Sequence, residues 1–354
     1  MKFSAFNPFP VYGTEADPAR WPVPPRYSAP GLAGDGLARA WELCDLADEL
    51  GFDYVSVAEH HYHPRQMTPN PLLMAAALSQ RLRSAGVAVL GVDLPLTNPL
   101  RTAEELAVLD VLTGGRLLVG LFRGAPNEFL AYGTDPYRSR EAYEEALDLV
   151  RAAWTEPEPF AWIGRHHEYR TVAVWPRPVQ QPHPPILVAG NTPATARYAA
   201  RQRCRLGLSF VSAARAAALV AAYREEARAA GWEPTADDVL CRQFALVAPS
   251  DDEADGLVRR YGYGDLTAMR AVSDPRVSRE LTRAFGGTAP STVDVLPAGP
   301  MFVGSSATVT AQVRDFVTAT GVGILDLAFN ELNLPFAHAR RSLELFGREV
   351  IARL

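Results

Sequence analysis

Residues 51–63 read Gly51-Phe52-Asp53-Tyr54-Val55-Ser56-Val57-Ala58-Glu59-His60-His61-Tyr62-His63. Tyr54–Ala58 is a short β-type run. It follows an amphipathic stretch, Leu37–Leu50, that places Leu37, Trp41, Cys44 and Ala47 on one face and stops at Gly51, a helix C-terminus signal. Helix, glycine, strand and then a polar cluster make one α/β unit. In such folds the chemistry sits at the C-terminal ends of the strands, where loops form a polar cleft above a packed core. Three of the seven histidines are crowded at this strand end, and imidazole exchanges protons near neutral pH.

The same unit recurs outward in both directions. Candidate strands are Lys2–Asn7, Tyr54–Ala58, Gly86–Val92, Leu117–Phe122, Ile186–Ala189, Leu206–Val211, Cys241–Val247 and Ile324–Phe329. Amphipathic stretches at Pro71–Arg83, Leu100–Leu112, Arg140–Trp154, Ala194–Arg203, Ala213–Ala230, Thr308–Ala319 and Phe336–Leu354 follow the later strands. Eight strands each followed by a helix are the number that closes a parallel (β/α)8 TIM barrel, and the crossover helices exclude a β-sandwich. The chain is therefore expected to be a single domain, 1–354, with two insertions. One is the Pro-, Trp- and His-rich excursion 155–185 after strand four. The other, after strand seven, begins with a helix near Asp251 and continues to Ser305 through Gly262, Gly264, Gly286-Gly287 and Pro297. Its irregular part, about 260–305, is expected to be a lid over the barrel mouth.

With 354 residues, 48% hydrophobic and 21% charged, the chain has ample core for such a fold. A net charge of −5 without a basic block argues against nucleic acid or an anionic membrane as partner. No run spans a bilayer, and the N-terminus lacks the apolar core of a leader. Cys44, Cys204 and Cys241 are scattered, which fits a reducing cytoplasm. His60 and His61 point to opposite sides of an extended chain, and no H-E-x-x-H supplies further ligands, so no metal is expected.

Neither G-x-G-x-x-G after the first strand nor a P-loop is present, so neither a Rossmann dinucleotide site nor an NTPase is supported. Two other strand ends suit a phosphate. Arg123-Gly124 follows strand four with a planar cation beside a compliant backbone. Strand five runs into Ala189-Gly190-Asn191-Thr192-Pro193-Ala194-Thr195, which opens a helix with free amides and hydroxyls.

Taken in order, these segments resemble the bacterial luciferase-like flavin monooxygenases, in particular the catalytic-subunit type of luciferase. The residues that carry the likeness are Gly51-Phe52-Asp53, Glu59-His60-His61-Tyr62, Leu94-Pro95, Pro99-Leu100-Arg101 with Glu104, and Leu109-Asp110. Further on they are Gly115-Arg116, Gly120, Arg123-Gly124 with Glu128-Phe129, Tyr132-Gly133-Thr134-Asp135, Ser139-Arg140, Val188-Ala189 and Thr320-Gly321-Val322. The resemblance implies the same eight-stranded barrel. It makes His60 the catalytic histidine, Arg123 the FMN-phosphate arginine, and Gly190, Asn191, Thr192 and Thr195 the second phosphate loop. It puts a non-prolyl cis peptide at Leu90-Gly91 beneath the flavin, with Phe122 and Phe210 flanking the pocket. Phe122 stands where luciferases carry a cysteine, Asn98 replaces a pocket histidine, and Gly190 removes an acidic side chain, departures that set it apart from a light emitter.

The implied activity is that of a two-component monooxygenase. Reduced FMN from a separate reductase, with dioxygen, would oxygenate a small aldehyde, ketone or polyketide-type aromatic through a flavin C4a-(hydro)peroxide. Phe6, Phe122 and Phe210 would keep that site dry, and a homodimer is implied. The alternatives are a deazaflavin-dependent hydride-transfer enzyme of the same fold and, from another class, a non-catalytic flavin-binding protein.

Overall fold

A computed structural model describes residues 1–17, 21–263, 301–330 and 333–354. Its strands are β1 (Lys2–Phe6), β2 (Tyr54–Val57), β3 (Gly86–Asp93), β4 (Leu117–Phe122), β5 (Phe160–Ile163), β6 (Glu168–Val172), β7 (Ile186–Ala189), β8 (Arg205–Ser209), β9 (Val239–Val247), β10 (Met301–Gly304) and β11 (Ile324–Ala328). Parallel pairing runs β1-β2-β3-β4-β7-β8-β9-β11 and returns to β1. The eight-stranded barrel is closed, with each strand near the position read from its β-type run.

The helices are α1 (Leu32–Glu49), α2 (Pro71–Arg81), α3 (Pro99–Leu112), α4 (Pro126–Tyr132), α5 (Ser139–Thr155), α6 (Pro193–Arg201), α7 (Ala213–Ala229), α8 (Asp251–Tyr261), α9 (Ser306–Thr320) and α10 (Phe336–Leu345). Several begin at a polar cap followed by proline at the first helical position. Asn70 Oδ1 accepts from the Leu72 and Leu73 amides, and Asn98 Oδ1 from the Arg101 amide, which satisfies donors a helix start leaves open.

Alternation along the strands sorts side chains into two cores. Phe3, Ala5, Val55, Val57, Val87, Val89, Leu117 and Val119 face outward and pack under the helices. Inside the barrel, Ala88, Leu90, Leu118, Leu187, Leu240 and Ile324 form an apolar plug. Nearer the C-terminal mouth Phe6, Ala58, Phe244, Leu246 and Ala328 make a second apolar layer.

The excursion 155–185 holds an antiparallel hairpin, β5–β6. Glu145 of α5 clamps its turn, accepting from the amides of Arg165, His166 and His167 at 3.0, 2.9 and 2.9 Å. Tyr169 of β6 donates to Asn98 Oδ1 at 3.0 Å. Asn98 is thus a helix cap tied to the hairpin. The second insertion opens with α8 as expected and returns through β10, which lies along Phe244–Val247 at the outer half of β9. Of the expected lid, about 260–305, residues 264–300 lie outside the described residues, and its two ends are the close of α8 and the strand β10.

Candidate active site at the barrel mouth

The chain leaves β2 at Val57 and places consecutive side chains on opposite sides. His61 turns inward and is buried, with Nε2 3.1 Å from Glu59 Oε1. Glu59 Oε2 accepts the Asp93 amide at 3.0 Å, so this pair ties the end of β2 to the end of β3. His60 turns the other way and keeps 32% of its side-chain surface. Its Nδ1 stands 3.0 Å from Oε1 of Glu128, in the first turn of α4. A carboxylate can only accept, so Nδ1 carries a proton and Nε2 is the nitrogen left to exchange one, the arrangement of an oriented acid–base group. Burial pushes the Glu128 carboxyl up, but the His60 hydrogen bond and charge outweigh it and hold Glu128 below its usual range. Glu128 therefore stays ionised and fixes the tautomer.

Asp93 completes a set of three carboxyls. Burial raises it well above the ordinary carboxylate range, and the neighbouring Glu59 and Glu128 charges push the same way. Asp93 therefore holds its proton more tightly than an exposed aspartate does. A native pKa raised above the unfolded value means stability that is full below about pH 4 and is lost as pH rises towards the native pKa. Asp93→Asn, which mimics the protonated acid, is expected to remove that loss. Denaturation curves from pH 5 to 8 should show the variant gaining on the wild type by about 1.4 kcal/mol per pH unit until the native pKa is passed. A difference constant with pH would contradict the assignment.

Across β3 and β4 the backbone forms a floor. The Leu90–Gly91 peptide is cis, and β3–β4 pairing shifts register between Val89 and Val92. A Cβ on Gly91 would lie 2.7 Å from the Gly120 carbonyl oxygen and 2.7 Å from the Phe122 ring. Glycine at 91 and 120 therefore seats Phe122, whose half-buried ring becomes the floor at this side of the mouth.

Beside it, Arg123 donates from Nε to Ser139 Oγ and from Nη2 to the Pro136 carbonyl, both at 3.0 Å. Burial and the nearby Arg140 guanidinium lower its pKa to about 10. A half-buried guanidinium at a strand end can take a phosphate dianion through its fork, and Arg140 beside it is itself paired with Glu144 at 2.9 Å. At the next strand end Thr192 caps α6, with Oγ1 accepting the Thr195 amide at 3.2 Å and lying 2.9 Å from Thr195 Oγ1. A Cβ on Gly190 would stand 2.9 Å from Thr195 Oγ1, so an acidic side chain there would crowd this cap. Asn191 bridges β7 to β8 by bonding both backbone groups of Ser209, at 2.8 and 3.2 Å. One amide hydrogen is left for a ligand. Phe210, at φ +52°, stacks on Phe244 with centroids 4.5 Å apart.

The residues singled out in the sequence thus lie at the C-terminal ends of β2, β3, β4, β7 and β8. His63 instead accepts the Arg65 amide within its own loop. Among the described residues no His, Cys, Asp and Glu group is arranged to hold a metal. Sequence reasoning missed Glu128 as the partner of His60. Its signal was an acidic residue just past Pro126, two positions into a helix too short to show periodicity. Asp93 was missed because the apolar run was read as ending at Val92, one residue short of the strand's end at Asp93.

The fold and its mouth define an α/β-barrel protein with a carboxylate-oriented histidine past the end of β2 and a half-buried arginine past the end of β4. The chain belongs to the luciferase-like monooxygenase family, whose description matches residues 16–323. It is 28% identical over 357 residues to 4-hydroxyprotoasukamycin monooxygenase of Streptomyces nodosus subsp. asukaensis, covering 94% of this chain and 90% of that protein. The match to the oxygenase component of flavin-dependent trigonelline monooxygenase of Acinetobacter baylyi, 29% identical, spans 47% of this chain and 46% of that protein. The chain thus spans about half the length of the first curated relatives it matches. Among solved structures it superposes on monooxygenase RslO1 of Streptomyces bottropensis with a TM-score of 0.80 at 29% identity, over 100% and 99% of the two chains. The FMN-bound oxygenating constituent of 3,6-diketocamphane monooxygenase, from the CAM plasmid of Pseudomonas putida, shares the fold, with a TM-score of 0.77 at 21% identity over 100% and 99%.

Proposed function

We propose that the protein is the oxygenase of a two-component flavin monooxygenase that acts on a small organic molecule. One observation carries the reading. His60 is partly exposed, oriented by a buried carboxylate, and stands at the same barrel mouth as the Arg123 cradle. A flavin mononucleotide would be held by Arg123 and the Gly190–Thr195 loop, above the Leu90-Gly91 and Phe122 floor. Reduced FMN would supply the electrons that activate dioxygen. The chain's own part is to exclude water with Phe6, Phe122 and Phe210 and to move a proton at His60 Nε2.

No nicotinamide fingerprint is present in the sequence, so a separate reductase is the proposed source of reduced FMN. The closed barrel and the His60–Glu128 pair favour catalysis over flavin storage. Apolar residues are exposed on α2 (Leu73) and on one face of α3 (Val108, Val111 and Leu112), which suits a second copy of the chain. Sedimentation would show a monomer if that reading is wrong. Among the described residues no helix is long and apolar enough to cross a membrane.

The test of function is oxygen uptake with enzymatically reduced FMN across aldehydes, ketones and polycyclic aromatics. The expected result is uptake above the buffer rate that depends on one of these classes. Turnover with a reduced deazaflavin and no oxygen consumed would transfer the site to hydride-transfer chemistry. Flavin binding without turnover of any substrate would favour a storage protein.

A further inference from the structure

Arg242 of β9 faces the barrel interior, level with Asp326 of β11 and Ser209 of β8. Asp326 is fully buried and accepts from Ser56 Oγ and from Arg242 Nε, both at 2.6 Å. The ion pair therefore uses only one edge of the guanidinium. The Phe6 ring covers one of its faces, with Cζ 3.6 Å from the ring centroid. Among the described residues the buried Nη2 has no hydrogen-bond partner, and the side chain keeps 12% of its surface. Below this level the barrel is filled by Leu118, Leu187, Leu240 and Ile324. The open side of Arg242 consequently faces the mouth that carries His60.

A buried donor without a partner is kept where a ligand makes the bond, because a site built to hydrogen-bond a group rejects molecules lacking it. Stacking on Phe6 restrains the guanidinium plane but leaves its Nη edge available, the geometry that suits a planar oxyanion. In the barrel order β9 stands opposite β3, four strands away in either direction. Arg242 therefore looks across the mouth at the β3 floor, three strands from Arg123 on β4 and two from the Gly190–Thr195 loop after β7.

We propose that Arg242 is a specificity-determining residue that binds an anionic oxygen, a carboxylate or an ionised phenol, on the substrate. This rests on reading the mouth as the flavin oxygenase site. Asp326 and Ser56 are positioning residues that hold the guanidinium edge toward the ligand.

The test uses FMN-loaded protein with benzoate, its neutral analogue benzamide, and 4-nitrophenol as probes, each measured by calorimetry, together with the absorbance of bound nitrophenolate. Wild type is expected to prefer benzoate to benzamide by about tenfold or more and to raise the phenolate fraction of bound nitrophenol. Arg242→Lys keeps the charge without the fork and should lose most of that preference. Arg242→Met paired with Asp326→Asn avoids leaving a buried lone carboxylate and should abolish it. FMN affinity should change less than about twofold in both variants.

Equal binding of benzoate and benzamide by wild type, or binding of neither anion, would overturn the proposal. So would a preference that survives in the double variant, or a parallel loss of FMN affinity, which would assign Arg242 to the cofactor. Failure of FMN to bind wild type while the benzoate preference persists would sink the oxygenase reading and leave the anion site standing.

Discussion

His60→Ala is expected to bind FMN within about twofold of wild type and to lose substrate oxygenation by roughly 10²- to 10⁴-fold, the usual worth of a positioned acid–base group. The expectation follows from where the ring is held. Nδ1 meets Glu128 at 3.0 Å, so the variant removes the outward Nε2 without touching the Arg123 cradle. Oxygen uptake should continue in part and surface as hydrogen peroxide, because dioxygen reduction needs only the flavin whereas its coupling to the substrate needs the base. Glu128→Gln separates orientation from chemistry. Its amide can still accept from Nδ1 but no longer favours that tautomer by charge, so turnover should fall by about tenfold, with a changed pH–rate profile. Full coupling in His60→Ala, or equal losses in both variants at every pH, would remove His60 from the mechanism.

What the sequence made legible follows from period and adjacency. Each barrel strand is a short apolar run bounded by a helix, and closure needs eight of them, so Tyr54–Val57 or Ile324–Ala328 could be placed from local pattern. His60 and Arg123 were visible because each directly follows such a run. The hairpin β5–β6 was not, since its strands show half-buried alternation within a segment broken by prolines, and its turn is held by Glu145 of the preceding helix, about twenty residues back. Arg242 and Asp326 were hidden for a different reason. They sit inside runs that read as plain barrel strands, and only the closed register brings residues 84 positions apart into one ion pair. Glu128, 68 positions from His60, is the same case. Long-range polar partners are fixed by topology, which the local pattern does not contain.

The Arg123→Ala variant is expected to bind FMN about as weakly as riboflavin. In wild type, FMN should bind about 10²-fold more tightly than riboflavin, since the two ligands differ by one phosphate and hydrogen bonds to a charged group contribute roughly 1.5–3 kcal/mol each. The guanidinium is oriented for this by Ser139 Oγ and the Pro136 carbonyl, and a bound dianion would offset the burial and the Arg140 repulsion that together lower its pKa to about 10. Riboflavin affinity should be unchanged in the variant, because the Phe122 floor and the Phe210–Phe244 stack do not depend on Arg123. Arg123→Lys should recover part of the FMN preference as a point charge without the fork. Flavin fluorescence titration of wild type and both variants with each ligand measures all six affinities. Equal loss of riboflavin and FMN would mean that Arg123 props the loop from Pro136 to Ser139 and does not read phosphate; an undiminished FMN preference would move the phosphate to the Thr192–Thr195 turn alone.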